Sequence, residues 1–136
     1  MSNKLDKILA EISAGELIDK ITILEIKKEK IKDQEKLKLI ENEYNSLKTT
    51  LQKQIKSSSE LTSLFKRLKE VNSTLWDIEE GKRESEKKQD FGDNFIKLAR
   101  NVYIFNNKRA EIKKKINLLL GSNIIEVKSS SWESSF

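Results

Sequence analysis

SELTSLFKRLKEVNSTLWDI, residues 59–78, carries its apolar side chains at Leu61, Leu64, Phe65, Leu68, Val71, Leu75, Trp76 and Ile78. Steps of three and four put them on one side of a helix, and the spacing predicts a helix running to about Lys88, with Gly81 a weak spot inside it. Upstream, Ser57, Ser58 and Ser59 read as a linker, with Ser59 the expected N-cap. Downstream, Asp90-Phe91-Gly92-Asp93 reads as a turn into a last long helix from about Asn94 to Leu120, stopped by Gly121.

Further out, Ser13 to Glu16 reads S-x-x-E, a capping box before Leu17, Ile18, Ile21, Leu24 and Ile31. A second series follows at Leu37, Ile40, Tyr44, Leu47 and Leu51, out of phase with the first. Residues 14–56 therefore read either as one kinked helix or as two helices broken near Lys32–Gln34, with Asp33 the N-cap of the second. In residues 1–12, Leu5, Ile8, Leu9 and Ile12 suit a helical turn and an extended arm equally well. Ile124, Ile125 and Val127 suit a short strand or a segment packed back on the helices. No stretch alternates with period two for long enough to build a sheet. The expected fold is all-α: an antiparallel bundle of three to four long helices with heptad-like, coiled-coil spacing. The expected organisation is an N-terminal arm at 1–12, a bundle at 13–128 and a Ser-rich, unstructured or docking tail at 129–136 carrying Trp132.

Composition narrows the chemistry. The 136 residues include no Cys, no His and no Pro. Thiol nucleophiles, disulfides, imidazole bases and thiolate or imidazole metal sites are excluded, and no metal or cofactor is expected. No apolar run approaches the roughly 18 residues that span a bilayer, so a soluble, cytoplasmic protein without membrane insertion is expected. Net charge is +5, and residues 93–136 hold eight basic and four acidic side chains. The run Lys108, Arg109, Lys113, Lys114, Lys115 is interrupted by Glu111 and sits near a helix end, where cations are favoured anyway. That argues against nucleic acid as the partner.

The informative departure is polar residues in apolar directions. At 100° per residue the last helix buries Phe95, Leu98, Val102, Ile116 and Leu120, and Asn106, Arg109 and Lys113 fall in the same stripe, with Tyr103 at its edge. Asn72, Glu79, Arg83 and Glu86 share the buried direction of the preceding helix, beside Trp76. On the first helix Glu25 lies at the stripe's edge and Lys28 near its centre. A turn centred near Asp90–Phe91 makes antiparallel neighbours sum to about 181 in residue number, for an antiparallel pair of adjacent helices. Asn72 then faces Arg109, Glu79 is within reach of Arg109, and Asn106 approaches the Trp76 indole. Buried charges cost several kcal/mol unless paired, so these groups are expected to meet. They form either a register-fixing network or an inter-helix pocket. In the pocket, Arg83, Arg109 and Lys113 hold an anion, Glu79 is the candidate acid or base, and Asn72, Trp76, Tyr103, Asn106 and Glu25 are the walls. A divalent-cation set of Asp19, Glu25 and Glu79 lacks a recognised ligand spacing, and Asp19 with Lys20 reads equally as first-turn charge on a solvated surface.

The segment GELIDKITILEIK, residues 15–27, resembles the signature of an uncharacterised family of small bacterial and phage proteins. LWDIE at 75–79, Phe95 to Arg100, Val102-Tyr103, RAEIK at 109–113, Asn117, LGS at 120–122 and EVK at 126–128 are similar to its later blocks, in the same order. The resemblance covers about Ser13 to Lys128. Ala14 and Gln34 stand where the family commonly has proline, Asn107 stands where it commonly has an acidic residue, and Ser130 stands where it has an aromatic. The resemblance implies no reaction. Heptad-like apolar faces without a nucleophile, metal cluster or phosphate loop favour a non-catalytic interaction or assembly protein, acting as a homo-oligomer or on a protein partner. The alternative is a small all-α enzyme or sensor that binds an anionic small molecule between helices.

Overall fold

The computed structural model describes residues 4–127. They form four helices: α1 (Ala14–Lys30), α2 (Gln34–Gln54), α3 (Ser59–Lys88) and α4 (Asp93–Leu120). Three of them start on a side-chain cap. Ser13 Oγ accepts from the Glu16 N–H at 3.0 Å, Asp33 Oδ1 from Glu35 at 3.0 Å, and Ser58 Oγ from Leu61 at 3.1 Å. Each takes up a donor that the first helical turn leaves without an intrahelical acceptor.

Residues 14–56 are thus two helices, with Ile31 extended between them and Asp33 starting the second. Ser58, one residue before the expected Ser59, caps α3, and α4 begins one residue early, at Asp93, after Gly92. Both long helices end on a left-handed residue, Gln89 at φ 54° and Gly121 at φ 61°. Among the described residues Ile124, Ile125 and Val127 form no strand. The Ser-rich tail with Trp132 and most of its flank lie outside the described residues.

α3 and α4 make an antiparallel hairpin. Gly81 does not interrupt α3: a Cβ built there meets the Leu98 methyl carbons at 3.1 and 3.3 Å, so the missing side chain allows close approach of the two helices. α1 packs on α2, α3 and α4, whereas α2 comes close along its length only to α1. α1 is accordingly the centre of the assembly. Leu17, Ile18, Asp19, Ile21, Thr22, Leu24 and Ile26 are all buried, and α2 buries no residue fully. The apolar cluster joins Ile18 of α1 to Leu61 and Leu68 of α3 and to Ile112 and Ile116 of α4, with Leu51, Ile55, Phe65 and Leu120 packed around it. Each such aliphatic side chain contributes about 1.5–3 kcal/mol by leaving water. Among the described residues no helix is long and apolar enough to cross a membrane.

Candidate functional site

Two polar nodes lie where α1 meets α4. The first centres on Asp19, which is 0% exposed. Arg109 on α4 grips it with two bonds, Nε donating to Oδ1 at 2.9 Å and Nη2 donating to Oδ2. Asn72 on α3 donates from Nδ2 to Asp19 Oδ1 and to Thr22 Oγ1, both at 2.9 Å, and the Thr22 hydroxyl donates to the Asp19 carbonyl at 2.7 Å. Three helices thus converge on one carboxylate. The bond from Arg109 to Asp19 raises the guanidinium pKa against the opposing effect of burial, so the charge is fixed.

The second node closes the start of α1. Its first free N–H groups belong to Ala14, Gly15 and Glu16. They donate to Ser122 Oγ at 3.0 Å, Asn117 Oδ1 at 2.6 Å and Ser13 Oγ at 3.0 Å. Gly15 is required here, because a Cβ would lie 2.6 Å from the Lys113 carbonyl oxygen. Lys113 Nζ bonds to Glu16 Oε2 at 2.6 Å and pairs with Glu126 Oε2 at 3.0 Å, while the Ser13 hydroxyl donates to Glu126 Oε1. Burial pulls the Lys113 pKa down, but its bonds to Glu16 and Glu126 outweigh that and hold it raised. Burial likewise pushes Glu126 up, and the bonds from Ser13, Lys113 and Asn117 together bring it below its ordinary value.

A third contact joins α1, α2 and α3. Tyr44 Oη donates to Glu25 Oε2 at 3.1 Å, Lys69 pairs with Glu25 at 3.2 Å and with Glu29 at 2.7 Å, and Lys28 lies over the Tyr44 ring at 4.2 Å. Burial, then the bond to Glu25, raises the Tyr44 pKa.

A shallow groove of about 210 Å³ runs beside the first node. Ile23, Ile26, Leu75 and Trp76 line it, with Asn72, Glu79, Glu80, Arg83 and Arg109 around them. The structure therefore gathers Asn72, Trp76, Glu79, Arg83 and Arg109, but not in the expected pairing. Arg109 is bound to Asp19 and not to Glu79, which pairs with Lys82 along its own helix at 3.6 Å. The helical register between 72 and 109 is close to the expected one. The missing fact is that α1 inserts an acid between them.

Arg83 is bound to Glu80 and points outward, 70% exposed at its side chain. Glu86 is also exposed. Asn106 and Tyr103 are exposed and line no part of this groove; Lys113 and Glu25 belong to the second and third contacts. Asp19, read from sequence as a solvated first-turn charge or a cation ligand, is instead the most deeply buried acid. Among the described residues no three carboxylates gather to hold a metal ion.

Thr22, Gly15, Asn117, Ser122 and Glu126 were not among the candidate site residues, and Asp19 entered only as a member of a divalent-cation set. Their signal lies in the spacing of Arg109, Lys113 and Asn117. Steps of four align all three on one face of α4, opposite Asp19, Glu16 and Gly15 on α1. Neither a curated protein nor a solved structure matches the chain. The model of a family of unknown function (DUF6165) matches residues 8–134, and the chain belongs to that family.

Proposed function

We propose that this is a non-catalytic helical assembly protein of the cytoplasm, which works through helix-face contacts with its own copies or with a larger protein partner. The observation that carries this reading is that the interior polar groups are consumed by the fold. Among the described residues no buried side-chain nitrogen or oxygen lacks a partner, and Asp19, Arg109, Lys113 and Glu16 are all in ion pairs. Among the described residues the interior charges are therefore engaged with one another. The outside, by contrast, carries Leu39 on α2 and Ile96, Ile104 and Leu118 on α4, apolar side chains of the kind that helix faces bury on association. Sedimentation velocity across the micromolar range tests this reading. A particle heavier than one chain is expected, and a strictly monomeric one overturns the self-assembling form.

One observation favours the second reading, an anion-binding enzyme or sensor. The groove brings Arg83 and Arg109 to the same opening as Trp76 and Glu79. Both guanidinium groups, however, already hold carboxylates, Glu80 and Asp19. A thermal-shift series with phosphate esters and dicarboxylates separates the readings. Saturating a true site a hundredfold above its Kd stabilises the fold by about 2.7 kcal/mol. An upward shift that Arg83→Ala abolishes would establish the second reading.

A further inference from the structure

Residues 4–12 precede α1 as a segment that, among the described residues, has no helix, no strand and no backbone hydrogen bond. Among the described residues its one side-chain hydrogen bond is Asn123 Nδ2 donating to Glu11 Oε2 at 2.5 Å. Yet Leu5, Ile8 and Leu9 stand 78%, 82% and 87% exposed, among the most exposed large apolar side chains of the molecule. With Ile12 they occupy positions i, i+3, i+4 and i+7, the anchor spacing of a short helix that lies in a groove. So short a helix is marginal alone in water and gains its stability from the surface that covers it.

The groove between α1 and α3 has the matching character. Its floor of Ile23, Ile26, Leu75 and Trp76 is apolar, and its edge carries both charge signs, Glu79 and Glu80 followed one turn later by Arg83. The arm carries Lys4, Asp6, Lys7 and Glu11, two charges of each sign. The arm's charges cancel, which suits this mixed edge better than a uniformly charged ligand would.

We propose that two copies of this chain exchange arms, residues 4–12 of each folding as a helix into the groove of the other. The proposal rests on the assembly reading above and names its partner and its contact. The chain's own groove is poorly placed for its own arm. Ser13 is locked by its bonds to Glu16 and Glu126, and the groove lies about 15 Å further along α1, at Ile23 and Ile26. To occupy it the arm would have to reverse direction at once, and residues 4–12 contain no Gly or Pro to turn on. A two-fold pair delivers the arm from outside and closes the assembly at two copies.

The test uses the full chain with Trp132→Phe, which leaves Trp76, on the groove floor, as the single tryptophan. Sedimentation and Trp76 emission are followed from low to high micromolar concentration. They are then repeated after adding Ile8→Asp and Leu9→Asp, positions too exposed to matter to the monomer's fold. Exchange predicts a doubling of mass and a shift of Trp76 emission to shorter wavelength in step with it, both lost in the arm variant. A dimer that the arm variant leaves intact overturns the exchange and leaves the assembly reading standing. A concentration-independent emission shift that the arm variant abolishes shows the arm in its own groove and overturns the exchange. A monomer at every concentration overturns the exchange and, with it, the self-assembling form of that reading.

Discussion

Asp19 and Arg109 set the tightest constraint at the scale of single residues. Removing one member of a buried ion pair leaves the other uncompensated, which costs about 3–5 kcal/mol. Arg109 keeps 30% of its side chain in solvent, and that moderates its share of the loss. Asp19→Ala and Arg109→Met are each expected to lower unfolding free energy in urea by about 3 kcal/mol, and the double variant by less than their sum. A fully additive double variant would show that the two act separately. The glycines differ in the same measurable way. Gly15→Ala drives a methyl into the Lys113 carbonyl, a rigid backbone atom, and is expected to destabilise by about 2 kcal/mol. Gly81→Ala meets only the movable Leu98 methyls and removes a helix-interior glycine, so it is expected to change stability by less than about 1 kcal/mol.

Among the elements, the segment after α4 is held to α1 by charge, and its attachment should therefore titrate. The Glu126 carboxyl sits below its ordinary value of 4.5 in the folded chain, so its bonds stabilise fully above that value and are lost as pH falls through the folded pKa. The amides of Ala14 and Gly15 should report release of Ser122 and Asn117 as shifts in an acid NMR titration, while α3 amides stay in place. Glu126→Gln should remove the acid step in those shifts. The helix ends were legible in sequence because Ser13, Asp33 and Gly121 act within four residues of themselves. The α3–α4 register was legible because a four-residue turn leaves little freedom. The role of Asp19 was not legible. A single apolar stripe assumes one buried face, and α1 is covered by α2, α3 and α4 on several. On such a helix position 19, next to Ile18, is interior while Lys20 faces solvent, and only the four-residue spacing on α4 reveals the partner of Asp19.

At the scale of the whole molecule, stability is unevenly spread. α2 buries no residue completely and leans on α1 alone, whereas α1 is fixed by three neighbours and two polar nodes. Local opening takes least free energy where few apolar groups are covered. Native-state hydrogen exchange should therefore find α2 amides opening at lower free energy than those of α1, and equal protection across the two would contradict this packing. The position of α1 also has a temporal side. It is translated first of the four helices, yet the groups that satisfy its first turn, Asn117, Ser122 and Glu126, are more than 100 residues downstream. On the ribosome the α3–α4 hairpin can close on itself as soon as it emerges. The first of the four helices must wait, its Ile and Leu side chains available to chaperones, until the segment that follows α4 has been made.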